Sequence, residues 1–126
     1  MINFLLDTNV FLWYFWGSDR IETIKKLIQS EDSDVYISAV SWWEIAIKIR
    51  TGKLSLDPQQ LVFFSNKYCF KELPIDSQYI KAYLELKHIH KDPFDCMLLS
   101  QAITHPMRII TGDSILAKYS SLVMVI

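Results

Sequence analysis

The segment "INFLLDTNVFLWYF" (residues 2–15) places a carboxylate between two apolar runs. Ile2 through Leu6 predict a buried strand, and the aromatic-rich residues 10–16 predict a short helix that Gly17 ends. Asp7 lies between these two segments, where desolvation makes a charge costly. A buried ionised group requires a charged partner, a hydrogen-bond network or a metal ion. The rest of the chain must therefore supply one of these for Asp7.

The overall composition indicates one compact folded domain. A chain of 126 residues that is 51% hydrophobic and 21% charged is expected to fold around a real core. The net charge of −1 gives no general attraction to nucleic acid, so a polyanion would need a local basic patch or metal ions. The absence of a signal peptide and of a membrane-spanning apolar run predicts a cytoplasmic protein. Its two cysteines, Cys69 and Cys96, are expected to be reduced and to pack in the core.

Strand-like and helix-like segments alternate along the chain. Apolar runs predict strands at 2–6, 34–40, within 69–74, at 107–111 and at 122–126. Helices are predicted to begin at a capping box of Asp19 with Glu22, at Ser41, at Asp57, at Asp76 (running to about His88) and at Asp92. Strands separated by helices indicate βαβ units. We therefore expect a single domain over residues 1–126, an α/β fold with a mainly parallel sheet in a three-layer α/β/α sandwich.

Four acids lie near the predicted carboxyl ends of the strands. Asp7 ends the first strand, Glu44 follows the second, Asp113 follows the strand at 107–111, and Asp95 lies in the helix before that strand. Functional groups gather just beyond the carboxyl ends of strands in an open parallel sheet. The four carboxylates are therefore expected at one edge of the sheet.

Three of these acids also have structural interpretations. Glu44 completes a capping box with Ser41, and Asp113 is placed to cap the short helix that follows it. Asp95 could be a first-turn acid favoured by the helix dipole, although it shares a helix face with the apolar residues Leu98 and Leu99.

Asp7 has no comparable interpretation, and the neighbouring Thr8 or Asn9 could hold its carboxylate in place. Asp92 is most simply a helix cap.

A cluster of carboxylates repels itself unless cations neutralise it. Oxygen ligands without Cys or His suit Mg²⁺ or Mn²⁺ rather than zinc. Such ions activate water and stabilise the charge of phosphoryl transfer, so a metal is the predicted partner of Asp7.

Four motifs resemble one known family. They are "LLDTNVFLW" (5–13), "ISAVSWWEIAIKIRTGKL" (37–54), "HKDPFDCMLLSQA" (90–102) and "IITGD" (109–113). In their order and spacing, the chain resembles a PIN domain, specifically a VapC-type toxin ribonuclease of a toxin–antitoxin pair. The resemblance implies that Asp7, Glu44, Asp95 and Asp113 form a catalytic metal site supported by Thr8 or Asn9. It also implies cleavage of RNA with Mg²⁺ or Mn²⁺, and a cognate antitoxin that occludes the site. Cys96 stands where relatives commonly carry arginine.

Two further groups of residues suggest contacts with partners. Lys48, Arg50 and Lys53 surround a turn near Glu44 and are placed either to contact RNA phosphates or to form a solvated helix end. The aromatic residues of 11–16 exceed what one short helix buries, which predicts a homodimer interface.

Two other classes of protein remain as alternatives. One is a binding module with an inactive PIN-like fold. The other is a phosphatase-type α/β metal hydrolase, but the haloacid-dehalogenase kind needs a second acid where this chain has Asn9. A receiver domain would need an acidic pair and a lysine pattern that the sequence lacks.

Overall fold

The computed structural model describes residues 2–87 and 92–126. The strands are β1 (Ile2–Leu6), β2 (Ser33–Ser38), β3 (Lys71–Leu73), β4 (Arg108–Thr111) and β5 (Val123–Val125). The α-helices are α1 (Thr8–Trp16), α2 (Glu22–Ile28), α3 (Ala39–Arg50), α4 (Pro58–Lys67), α5 (Ser77–Glu85) and α6 (Pro93–Thr104). Short 3₁₀ turns occupy Asp19–Ile21 and Ser114–Lys118. α5 ends at Glu85 with Leu86 as its C-cap, so the helix predicted to run to about His88 is shorter than expected. His88 itself lies outside the described residues.

All the strand pairs are parallel, in the order β3-β2-β1-β4-β5. β1 is central, with β2 on one side and β4 on the other, so the chain winds in opposite directions from it. The carboxyl end of β1 is therefore the topological switch point at which open α/β sheets place their sites. The predicted single α/β/α domain with a parallel sheet is confirmed.

Two apolar clusters cover the two faces of the sheet. Phe4 and Leu6 pack in a cluster with residues of α1, α2 and α4, whereas Leu5 packs in a second cluster with residues of α5 and α6. Side chains alternate between the faces of a strand, so a strand buried on both sides has a continuous apolar sequence. That burial explains the apolar residues Phe4, Leu5 and Leu6, whereas Ile2 at the start of the strand is exposed. In the described part of the chain, no helix combines the length and hydropathy needed to cross a bilayer.

The second strand is shorter than predicted, and this changes the interpretation of Glu44. β2 ends at Ser38, whose Oγ accepts a hydrogen bond from the Val40 N–H (3.0 Å) and caps α3. Ser41 therefore lies inside the helix, and the predicted capping box of Ser41 with Glu44 is wrong. Ser38 also donates its hydroxyl to Gln101 Oε1 (2.6 Å), a contact between residues 63 positions apart. This long-range hydrogen bond favours Ser38 over Ser41 as the cap.

Two other local predictions are wrong, whereas three caps are confirmed. Ser18, not Asp19, caps the turn before α2, and its Oγ accepts from the Arg20 N–H (3.2 Å). Cys69 is exposed with a φ of 56° in the turn before β3, while Cys96 is buried as expected. The side chains that cap α4, α5 and α6 are the predicted ones, Asp57, Asp76 and Asp92.

Candidate active site

Asp7 is buried at the junction of β1 and α1. Its carboxylate caps α1, because Oδ1 accepts a hydrogen bond from the Val10 N–H (2.8 Å). Its Oδ2 accepts a hydrogen bond from the Thr111 hydroxyl. The expectation that Asp7 has no capping role is therefore wrong. The pKa of Asp7 is raised above its ordinary value of 3.8. Burial is the largest cause and the charge of Glu44 adds to it, whereas the hydrogen bonds from Thr111 and Val10 act in the opposite direction.

Thr111 joins two of the predicted acids. It is fully buried at the end of β4, where its hydroxyl donates to Asp7 and accepts from the Asp113 N–H (3.0 Å). Asp113 in turn caps the following 3₁₀ turn, since its Oδ1 accepts from the Ile115 N–H (2.9 Å). Thr111 was not predicted from the sequence, although its position at a strand end, two residues before Asp113, could have indicated it.

Asp95 lies in the first turn of α6, which packs on the opposite face of the sheet from α1. Its helix is capped by Asp92, whose Oδ1 accepts from the N–H groups of Phe94 (2.9 Å) and Asp95 (3.3 Å). The buried residues Leu98 and Leu99 fix the helix against the sheet. The predicted alignment of Asp95 with this apolar face is therefore present.

Asp7, Asp95 and Asp113 line one cavity of about 370 Å³. Its other lining residues are Asn9, Trp13, Arg20, Gly112 and Ser114. We call it the three-acid cavity. It lies beyond the carboxyl ends of β1 and β4, as the sequence predicted for these three acids.

Glu44 lies beside this cavity rather than in its lining. It is largely buried in α3, and its Oε2 forms an ion pair with Lys48 Nζ (3.0 Å). It lines a neighbouring cavity of about 520 Å³ with Lys48, Lys53 and Phe94. Glu44 nevertheless acts on the first site, because its charge helps to raise the pKa of Asp7. Its Oε1 is buried without a hydrogen-bond donor among the described residues.

The two residues predicted to support Asp7 have other positions. Thr8 donates its hydroxyl to Ser41 Oγ (3.0 Å), which ties the start of α1 to α3. Asn9 is exposed and lines the three-acid cavity. Of the predicted basic residues, Lys48 and Lys53 share the cavity of Glu44, whereas Arg50 is exposed in the last turn of α3.

The donor chemistry of this region fits a hard divalent cation. The candidate ligands are carboxylate oxygens. The buried Glu44 Oε1 has no hydrogen-bond donor among residues 2–87 and 92–126, and a bound cation would satisfy it. Within residues 2–87 and 92–126, however, no three His, Cys, Asp or Glu side chains are close enough together to form a metal site. The oxygens are therefore suitable in kind, and binding an ion would require the side chains to approach one another.

Residues 4–122 match the family model of the PIN domain. The chain belongs to the PIN domain family. Solved structures similar to this PIN domain include VapBC2 from Rickettsia felis bound to a DNA fragment from their promoter, with a TM-score of 0.76 and 16% identity over 99% of this chain and 98% of that chain. A toxin–antitoxin complex from Klebsiella pneumoniae has a TM-score of 0.69 and 18% identity, over 96% of this chain and 95% of that chain. DNA-bound VapBC from Salmonella typhimurium has a TM-score of 0.70 and 18% identity, over 100% of this chain and 98% of that chain.

At these identities, the likeness to solved structures establishes the fold. No curated protein sequence matches this chain. The PIN family predicted from the four motifs is confirmed by the family model, and this PIN domain shares its fold with the VapBC structures.

Proposed function

We propose that this PIN domain is a metal-dependent endoribonuclease and the toxin of a toxin–antitoxin pair. The observation that carries the proposal is the convergence of Asp7, Asp95 and Asp113 on one cavity at the switch point of the sheet. Carboxylates placed together at such a point favour a cation-assisted reaction on an anionic substrate. Membership of the PIN family makes a phosphodiester the expected substrate.

The proposed ligands of Mg²⁺ or Mn²⁺ are the three acids of the cavity, with Glu44 contributing from the neighbouring one. A bound ion of this kind would activate water and stabilise the charge that develops on the phosphate. The chain itself orients the carboxylates. The Val10 N–H and the Thr111 hydroxyl hold the two oxygens of Asp7, so its orientation is set before any ligand binds.

The proposed path of the RNA runs along the cavity of Glu44. Lys48 and Lys53 line this cavity beside the ring of Phe94, and cations next to an aromatic face suit a phosphate backbone with unstacked bases. Arg50, exposed two residues beyond Lys48 along α3, would contact a more distant phosphate.

An antitoxin and a second copy of the chain are the proposed protein partners. Phe11 and Tyr14 are buried in the core, but Trp16 is 53% exposed. Trp16, Phe63 and Tyr68 line a cavity of about 660 Å³ between α1, α2 and α4. An exposed aromatic cluster of this kind is typical of an interface. A similar solved structure is named a toxin–antitoxin complex, which supports an antitoxin partner here. Light scattering that shows a strict monomer at micromolar concentration would refute the homodimer.

The test compares two aspartates that have the same capping role in different places. Asp7→Asn removes a proposed ligand, whereas Asp57→Asn changes an exposed cap of α4 that is not in the three-acid cavity. Asparagine also caps helices well, so both variants should fold. We expect the parent and Asp57→Asn to cleave RNA with Mg²⁺ or Mn²⁺, and Asp7→Asn to be inactive. Sequencing of RNA 5′ ends after induction identifies the substrate.

Full cleavage in EDTA, or parental cleavage by Asp7→Asn, would overturn this proposal. Growth arrest on expression should be lost together with cleavage. A variant that arrests growth without cutting RNA would show that the toxicity has another cause.

A non-catalytic PIN-like binding module is the second candidate. The Glu44–Lys48 ion pair favours it, because an internal cation already balances one of the four acids. This candidate predicts no cleavage with either metal and no rise in thermal stability when Mg²⁺ is added. The nuclease proposal predicts cleavage and also a rise in thermal stability when the metal is added. An ion at a hundred times its Kd would stabilise the fold by about 2.7 kcal/mol.

A further inference from the structure

Arg20 is a cation in the three-acid cavity that the sequence did not single out. Its guanidinium carbon lies 3.7 Å from the centroid of the Trp13 ring, so the group stacks on an aromatic face. The ion pairs within residues 2–87 and 92–126 join other residues: Lys25 with Glu22, Lys48 with Glu44, and Lys71 with Asp34. The charge of Arg20 is thus placed beside the acids by stacking on a ring.

The backbone of Arg20 is fixed on both sides. Ser18 caps the 3₁₀ turn Asp19–Ile21 through a hydrogen bond from the Arg20 N–H (3.2 Å). The next residue, Ile21, is buried in the core with residues of α1 and α2. A side chain that leaves from an anchored turn loses less freedom when it binds a ligand.

The stacked pair also packs against the turn between Thr111 and Asp113. A Cβ atom on Gly112 would lie 2.5 Å from Trp13 Cη2 and 3.4 Å from Arg20 Nη2. Only a residue without a side chain leaves room for the ring there. Because Gly112 has no side chain, Trp13 and Arg20 can lie against the segment that carries Thr111 and Asp113.

We propose that Arg20 is a catalytic residue that binds the scissile phosphate, and that Trp13 is the positioning residue that presents it. An arginine stacked on one face keeps its N–H edge available, and that planar fork matches two phosphate oxygens. Together with the proposed metal ion, this cation offsets the repulsion between the carboxylates of the cavity and an approaching phosphate. The inference rests on the proposed nuclease function and adds the group that recognises the reacting phosphate.

The chemistry gives Arg20 a defined task. In the hydrolysis, a water oxygen forms a bond to phosphorus and one P–O ester bond breaks. The departing sugar oxygen takes up a proton, and the attacking water releases one to a carboxylate or to solvent. Negative charge on the remaining phosphate oxygens increases as the water adds, and a preorganised guanidinium stabilises that increase.

The test uses three variants of the full chain. Arg20→Ala removes the cation, Arg20→Lys keeps the charge without the fork, and Arg108→Ala is the matched control. Arg108 is an exposed arginine at the start of β4, and the site lies beyond the opposite end of that strand. Thermal melts first show which variants fold, and Arg20→Gln replaces Arg20→Ala if the latter does not.

Two readouts separate a phosphate contact from a structural role. The first is the affinity for a single-stranded RNA oligonucleotide in EDTA at several salt concentrations. Loss of one phosphate contact should reduce the slope of log affinity against log salt by about 0.7. Arg20→Lys should keep the slope, and Arg108→Ala should match the parent. The second is cleavage with Mg²⁺, where we expect kcat to fall about 100-fold for Arg20→Ala. Added guanidinium ion should restore part of that loss.

The outcomes distinguish this inference from the proposed function. A parental slope for Arg20→Ala overturns the inference whether or not the parent cleaves RNA. A reduced slope in a protein that cleaves nothing supports the phosphate contact and refutes the nuclease. A loss of thermal stability together with a parental slope would assign Arg20 to structure alone.

Discussion

Replacing Thr111 with valine tests how the fold maintains a buried carboxylate. The two side chains have nearly the same shape, so the substitution removes a hydroxyl and leaves little cavity. That hydroxyl donates to Asp7 Oδ2 and accepts from the Asp113 N–H. Thr111→Val therefore leaves a buried carboxylate without one donor and a backbone N–H without its acceptor. It should also raise the pKa of Asp7 further, since a hydrogen bond that lowers the pKa is lost.

The expected cost follows from those two groups. A hydrogen bond to a charged group contributes about 1.5–3 kcal/mol, and a neutral one contributes about 1 kcal/mol. Urea unfolding without metal at pH 7 should therefore show a loss of about 2–4 kcal/mol for Thr111→Val. The loss should be smaller at pH 5, where Asp7 can take up a proton more easily.

Thr111→Ser is the matched control, because it keeps the hydroxyl and removes one methyl group. It should cost about 1 kcal/mol, the value for a buried methyl or methylene. If valine proves no more destabilising than serine, then the hydroxyl does not hold the Asp7 carboxylate and the reasoning fails. RNA cleavage should fall with valine and persist with serine, if the orientation of Asp7 matters for activity.

Three further changes probe the same region. Burial raises the pKa of Asp7 in the folded state, so the folded protein binds this proton more tightly than the unfolded chain does. The metal-free protein should therefore lose stability as pH rises above about 4, and Asp7→Asn should flatten that loss in melts from pH 4 to 7. Gly112→Ala adds a methyl against the Trp13 ring and should cost about 1–3 kcal/mol in urea unfolding, with reduced cleavage at unchanged charge. Wild-type stability of Gly112→Ala would mean that the ring moves freely. Glu44→Gln should abolish cleavage, whereas parental cleavage would limit Glu44 to its ion pair with Lys48.

Local signals in the sequence were sufficient for most of the architecture. The apolar run at 2–6 predicted β1 because a central parallel strand is buried on both faces. Asp57 and Asp92, each followed by proline, predicted the starts of α4 and α6 because both the cap and the first helical residue act within a few positions. The alternation of these elements was enough to predict the parallel sheet and its layers.

The errors arise where a contact distant in sequence decides a local choice. Ser38 and Ser41 are both good caps, and the hydrogen bond from Ser38 to Gln101 helps to select the first. The same limit applies to the site. Thr111 meets Asp7 across 104 positions, and only the pairing of β1 with β4 brings them together.

For two of the acids, a capping role and a place in the cavity are not alternatives. Asp7 and Asp113 both cap a helix or turn, and both line the three-acid cavity. In a parallel sheet, each helix begins just beyond the carboxyl end of a strand, which is also where sites form. A cap orients one carboxylate oxygen toward backbone N–H groups and leaves the other for a second partner, as Thr111 shows for Asp7. Capping therefore orients the carboxylates of this site, and asparagine variants separate the two roles because they keep the cap and remove the charge.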